Sequence, residues 1–299
     1  IGESGQGLWN DEDEFFYDQL RLPDGRMMPL KVRSLVGLAP LFAVEVIDAD
    51  LLDRLPEFRR RLEWFLKYRP ELAALVSHWQ MPGSKERRLL SLLRGHRMKS
   101  LLRRMLDEQE FLSDFGIRSI SKVHGRNPYV LECGGAQHVV EYWPGESRNG
   151  LFGGNSNWRG PIWFPMNYLL IESLRRFHAY YGDEFRVECP AGSGQHLNLR
   201  EIAEELSERL SKIFLLNKDS RRAVWGDNDR FQADPHFRDY VLFHEYFHGE
   251  SGQGVGASHQ TGWTGLVAEI LSRPMTPEIS SNSSLPNESM RQQAEVVTS

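Results

Sequence analysis

His244-Glu245-Tyr246-Phe247-His248 spells H-E-x-x-H. On a helix that spacing sets two imidazoles on one face for zinc and leaves the glutamate to act as a base. Glu269, on the next helical stretch, is a conceivable third ligand. Two features speak against a metal. The longer zinc-protease form needs Gly and His where this chain has Ser251 and Gly254. A zinc-binding helix must also run on past its second histidine, whereas Gly249 follows His248 at once and opens a Gly-rich loop, 249–256. A zinc hydrolase using His244, Glu245 and His248 is therefore the alternative reading, not the first.

A second chemistry is spread over the chain. Residues 9–18, 153–163 and 245–263 each combine aromatics with carboxylates, amides, Arg or His, and with glycine. A sugar offers a ring face that stacks on aromatics and hydroxyls that pair with charged or amide groups. Glycines let loops pass close to such a ligand. Trp64 and Trp79 stand alone in apolar patterns and read as core. Trp158 and Trp163 differ, because they bracket Arg159-Gly160-Pro161 beside a loop containing Asn155 and Asn157. Trp263 follows His259-Gln260-Thr261-Gly262 in the same manner.

Elements must position these groups. Phe15–Leu20 and Met27–Val32 flank the turn sequence Pro23-Asp24-Gly25 and predict a hairpin. Leu35–Val46 is apolar almost all round and predicts a buried helix. Helices are expected from Pro56 to Tyr68, Lys85 to Leu93 and Met98 to Leu106. A second hairpin, 129–133 with 138–142, turns at Gly134-Gly135. A helix opened by Pro161 closes near Gly182, as helix start and stop preferences predict. Further helices are expected over 199–217, 235–247 and 261–271. No βαβ alternation is present, so a parallel sheet is not expected. The chain reads as mainly α. Residues 274–299 lack periodicity and read as a disordered tail after one domain, 1–273. Two N-x-S sequons there, at Asn282 and Asn287, are what Ser-rich sequence produces by chance.

Composition limits the partners. Of 299 residues, 40% are apolar and 11% aromatic, ample for a packed core. A net charge of −5 points to neither nucleic acid nor an anionic membrane. The basic runs Arg59–Arg61, Arg87-Arg88 and Arg103-Arg104 sit among leucines and read as solvated helix faces. Two cysteines, Cys133 and Cys189, build neither a disulfide framework nor a Cys-type zinc site, and a reducing, cytoplasmic compartment is the default expectation. No apolar run approaches the ~18 residues of a membrane helix. The first residues have no signal-peptide pattern and read as the middle of a longer chain.

The stretch Gly153-Gly154-Asn155-Ser156-Asn157-Trp158-Arg159-Gly160-Pro161-Ile162-Trp163 resembles the W-R-G-x-I-W signature of glycoside hydrolase family 63. That family includes processing α-glucosidase I and bacterial glucosidase and mannosylglycerate hydrolase relatives. Residues 249–254 and 256–264 are similar to its C-terminal signature. Leu8 to Asp18 resembles its W-x-x-x-D-G-F-Y-Y-D stretch, with Glu14 where Gly is usual. The likeness covers roughly residues 5–272.

The resemblance implies an (α/α)6 toroid of helical hairpins, incomplete at its N-terminus because fewer helices are legible than six hairpins need, with inserted β-hairpins. It implies inverting hydrolysis of α-glucosidic or related α-glycosidic bonds in an oligosaccharide. One carboxylic acid protonates the leaving oxygen and an opposed carboxylate activates water. The base in this family is a Glu before an aromatic, upstream of a Gly-rich loop, which matches Glu245. Glu250, in the loop itself, is the competitor. Glu245 is also expected at a helix C-terminus, where the dipole disfavours an anion and a functional reason is wanted. The bland reading pairs Glu245 with an arginine such as Arg238. The family acid is an Asp on an earlier helix; no match to its motif is present, so it is expected upstream of this chain, and a non-catalytic sugar-binding fragment is a further alternative. Trp9, Trp158, Arg159, Trp163, His259, Gln260 and Trp263 are implied as pocket residues, with Arg33, Asn155 and Glu250 beside them. No cofactor is implied, and no loop here suits calcium.

Overall fold

The computed structural model describes residues 7–74, 81–93, 95–151 and 161–273. The tail expected over 274–299 lies outside these, as do Trp79, Asn155, Trp158 and Arg159.

The centre is a helical hairpin. Phe164–Tyr181 begins with Pro165 in its first turn and stops at Gly182, whose φ of 70° ends the helix without a Cβ penalty. Leu199–Ser211 starts with a capping box: Asn198 accepts from the Arg200 and Glu201 amides, and Glu201 accepts from the Asn198 amide at 2.7 Å. A short hairpin, Arg186–Glu188 with His196–Asn198, joins the two. Their facing stripes, Phe164, Leu170, Ile171, Leu174 and Phe177 with Ile202, Ala203, Leu206 and Leu210, recur every three or four residues and are fully buried in one core. Each large side chain so buried contributes about 1.5–3 kcal/mol before entropy is counted. Gly95–Met105 adds Met98, Leu101, Leu102 and Met105 to the same core.

Beside this core run short extended segments joined laterally by backbone hydrogen bonds. Leu35 donates to Ser119 O at 2.8 Å, and Ser119 to Pro161 O at 3.2 Å. Ile162 and Phe247 exchange bonds of 2.8 and 2.9 Å, and Tyr246–Phe247 pairs with Gly254–Val255. Asn167 ties this belt to the helical hairpin. Buried within Phe164–Tyr181, its amide accepts from Ile117 N at 2.7 Å and donates to Ile117 O and Trp163 O at 3.0 Å. A fully satisfied amide makes a buried Asn tolerable inside a helix.

The architecture is mixed α and β, with two-stranded antiparallel sheets throughout, and not the mainly α chain that the sequence suggests. Leu35–Phe42 is a 3-10 helix, and the chain then becomes the strand Val44–Ile47. Its partner is Arg88–Ser91, where a helix is expected over 85–93. Leu89 and Ser91 are buried and alternate with Arg88 and Leu90, so leucines that suit a 3.6 period serve a period of two. Pro235–Phe247 is not helical: Asp229–Ala233 is a short helix, a turn follows, and the chain is extended by Tyr246. The helix from Leu199 stops at Ser211, before Asn217, and the last helix is broken into Thr261–Thr264 and Val267–Ser272. Pro56–Tyr68 forms as expected but buries no residue, and Trp64 is 54% exposed, so it is not core.

Candidate active site

Glu245 is half-buried in the belt. Its amide donates to Ala257 O at 2.8 Å, and its Oε2 accepts from the Ala257 amide at 3.4 Å. Gly256, at φ 68°, passes so close that a Cβ would lie 2.9 Å from Glu245 Oε2 and 2.8 Å from the Tyr246 ring. The glycine therefore lets the chain fold over the carboxylate. Tyr246 packs on Trp163 with centroids 4.9 Å apart, and Trp163 meets Trp263 edge-on at 6.0 Å. Leu35, Phe42, Met166 and Val255 complete this cluster. Gln260 donates to Phe243 O, and its carbonyl accepts from the Trp263 and Thr264 amides, starting the last helix. His259 is exposed and bridges to Phe243.

Thus Glu245, Trp163, Gln260, His259 and Trp263 belong to one region. Trp9 and Arg33 have other partners. Trp9 donates to Asp11 at 2.8 Å, packs on Phe16 at 4.8 Å and carries the Arg97 guanidinium 5.0 Å above its ring. It lines a separate cleft of about 470 Å³ with Asn10, Tyr17, Gln19 and Arg26. Arg33 joins an ionic cluster, 3.1 Å from Glu110 and 3.5 Å from Asp13. Burial pushes the Asp13 carboxyl up, but Lys31 and Arg33 outweigh it and hold it below the usual range.

Glu250 is saturated. Arg118 reaches it with two parallel bonds of 3.0 and 3.1 Å, Lys122 at 3.0 Å and Tyr142 at 2.7 Å. Burial pushes its carboxyl up, but these partners more than reverse that and leave it low. A carboxylate held in this way is a poor proton acceptor. Arg238 pairs with Asp239 at 3.4 Å, not with Glu245.

The zinc reading fails on geometry. The helix that H-E-x-x-H needs does not form, because Glu245 is a bend and Tyr246–Phe247 a strand, so the two histidines do not share a helix face. Among the described residues no three His, Cys, Asp or Glu side chains are grouped to hold a metal. The histidines have structural partners instead. His248 Nδ1 accepts from the Glu250 and Ser251 amides at 3.3 and 3.2 Å. His124 Nε2 accepts from the Arg33 amide at 2.9 Å, so the ring proton sits on Nδ1, facing Asn127 O at 3.2 Å.

Burial lowers the pKa of His124, His244 and His248. A histidine with a depressed folded pKa adds stability that is complete above its unfolded pKa of about 6.5 and is lost as pH falls through the folded value. Thermal melts should therefore weaken steadily below about pH 6.5. His248→Asn, whose Oδ1 accepts the same amides without titrating, should flatten that slope; an unchanged slope would assign the acid sensitivity elsewhere.

Sequence reasoning missed Arg118, Tyr142 and Glu146, and took Tyr246 only as the aromatic that follows Glu245. A buried arginine in the apolar run Phe115 to Ile120 was the one available signal.

The chain matches the model of the mannosylglycerate hydrolase MGH1-like glycoside hydrolase domain over residues 89–264, which include Trp163, Glu245, Tyr246, His259, Gln260 and Trp263. It is similar to an uncharacterized protein of Saccharomyces cerevisiae, 48% identical over 270 residues that make up 89% of this chain and 25% of that protein. It is also similar to the mannosyl-oligosaccharide glucosidase of Saccharomyces cerevisiae, 25% identical over 59% of this chain and 15% of that protein. The probable mannosyl-oligosaccharide glucosidase of Schizosaccharomyces pombe is 30% identical over 59% of this chain and 15% of its own length. The chain thus spans a quarter or less of these relatives. With a carboxylate next to the Tyr246, Trp163 and Trp263 cluster, and that model covering all four residues, the chain belongs to the MGH1-like glycoside hydrolase family.

Proposed function

We propose that this chain carries the base side of an inverting glycosidase acting on α-glucosidic, or related α-glycosidic, bonds in oligosaccharides, with Glu245 as the general base. One observation supports this reading best. Glu245 adjoins Tyr246, which packs on Trp163, and has no Arg or Lys paired to it among the described residues, whereas the rival Glu250 is fully engaged. An unpaired carboxylate keeps lone pairs for water and for the proton it removes. The relatives named as glucosidases supply the substrate class. In this reading the helical hairpin at 164–211 is one unit of an (α/α)6 ring. The general acid comes from sequence outside these 299 residues, placed roughly 6.5–9.5 Å from Glu245 across the sugar.

The test is hydrolysis by the full-length protein of a panel of α-linked glucose and mannose disaccharides and α-mannosylglycerate, followed by NMR. The expected first product is the β-anomer. Initial α-anomer would exclude inversion, and failure to cleave any member would remove the α-glycosidase reading.

A further inference from the structure

Two loops far apart in sequence grip each other beside Glu245. Tyr142 donates from the first loop to Glu250 at 2.7 Å in the second. Tyr246 donates from the second segment to Glu146 in the first, at 2.8 and 2.9 Å from its two oxygens. Between these bonds Gly249 donates to Pro144 O at 2.6 Å. The approach is close: a Cβ on Gly249 would lie 2.4 Å from the Tyr142 hydroxyl, and one on Gly145 would lie 3.2 Å from the His248 ring. The first loop is itself braced. Arg148 lies 3.6 Å over the Trp143 ring, and Asn149 donates to Val139 O at 3.1 Å in the hairpin that leads into the loop.

The two tyrosine–carboxylate pairs have different consequences. Tyr142–Glu250 belongs to the Arg118 ion pair already described. Tyr246–Glu146 acts on the residue next to Glu245. Tyr246 is buried, with its ring against Trp163 and only its hydroxyl left to orient it. A buried phenol needs one acceptor, and a backbone carbonyl or a water would satisfy it. Here the acceptor is a carboxylate from a loop 100 residues away, held symmetrically by both oxygens. Both side chains lie against Gly256, where a Cβ would be 2.8 Å from the Tyr246 ring and 2.9 Å from Glu245 Oε2. Fixing Tyr246 at its hydroxyl therefore limits movement of the short segment that also presents Glu245.

We propose that Glu146 and Tyr246 are positioning residues for the base, the Glu146–Tyr246 bond fixing the segment that carries Glu245. This rests on reading Glu245 as the base.

Hydrogen exchange in the full-length protein tests the bond without any substrate. The Glu245, Phe247 and His248 amides donate to Ala257, Ile162 and Gln253 carbonyls. Tyr246→Phe and Glu146→Gln should each speed exchange of peptides covering 242–248 by tenfold or more. Peptides from Leu199–Ser211 should stay unchanged. Turnover of α-glucosyl fluoride then tests positioning, because fluoride departs with little acid assistance and leaves the base as the demanding partner. Each variant should lower kcat tenfold or more with KM within twofold, and Glu146→Asp, which keeps the charge, should recover part of the loss. Unchanged exchange overturns the inference. Faster exchange with unaltered kcat, in an enzyme that Glu245→Gln silences, also overturns it by making the bond merely structural. If the wild type does not turn over the fluoride, the glycosidase reading suffers, and the exchange result still decides whether the bond fixes the segment.

Discussion

Glu245→Gln in the full-length protein should cut kcat by about 10²- to 10⁴-fold, the range that loss of a general base produces, while the protein stays folded and still binds sugar. The reason lies in what the side chain touches. Its one described polar contact is the 3.4 Å bond from the Ala257 amide, and the amide oxygen of Gln can accept that bond equally well. Its backbone bond to Ala257 O does not depend on the side chain. The substitution therefore removes a proton acceptor and little else, and stability should move by no more than about 0.5 kcal/mol. Steady-state kinetics with calorimetric titration of a competitive sugar separate the two effects. Turnover above a tenth of wild type would remove Glu245 from the role of base. Unmeasurable binding in a folded variant would instead make it a substrate ligand.

Much of the helical core was legible because its signals are local. Gly182 and the apolar stripe lie within a few residues of the feature they specify, while the helix read as opening at Pro161 starts at Phe164, with Pro165 in its first turn. The errors came where period or propensity was ambiguous. Leu89, Leu90, Leu92 and Leu93 fit a helix and a strand alike, and pairing with Val44–Ile47 decided it. The aromatic run from Tyr240 to Phe247 was read as helix, yet Tyr246-Phe247 takes its hydrogen bonds from Val255 and Ile162, partners that no local pattern announces. That error matters for the site. It removes the helix that H-E-x-x-H requires. It also removes the argument that Glu245 opposes a helix dipole, so its case now rests on family placement and on its lack of a cationic partner among the described residues. The gathering of Trp163, Gln260 and Trp263 was suggested by loop composition. The grip of Tyr246 by Glu146 was not, since contacts across 100 residues leave no trace in a single sequence.

The Arg118–Glu250 pair should be lost unequally from its two ends. The Arg118 side chain is 4% exposed and that of Glu250 is 36% exposed. Arg118 gives Nε and Nη2 to Glu250 and Nη1 to the Leu112 and Glu108 carbonyls, so one guanidinium joins the 108–112 turn to the 249–256 loop. Glu250→Ala leaves a buried cation without its counter-charge and should destabilise by about 3–5 kcal/mol. Arg118→Met leaves a carboxylate that water, Lys122 and Tyr142 can still serve, and Met refills the apolar volume. Its cost should be smaller, about 2–3 kcal/mol, mostly for the Leu112 carbonyl left without a partner. Urea unfolding of both single variants and of Arg118→Met with Glu250→Met measures this; the double variant should recover part of the summed loss, since the two residues are one unit. Acid should act on the same pair. Because the Glu250 carboxyl is held low, its contribution is complete above the unfolded value of about 4.3 and disappears as pH falls through the lower folded value. Equal losses from the two single variants, with simple additivity, would reduce the pair to a surface contact. A larger loss from Glu250→Ala would show that the 249–256 loop is held from the buried end, by a cation that cannot be left alone.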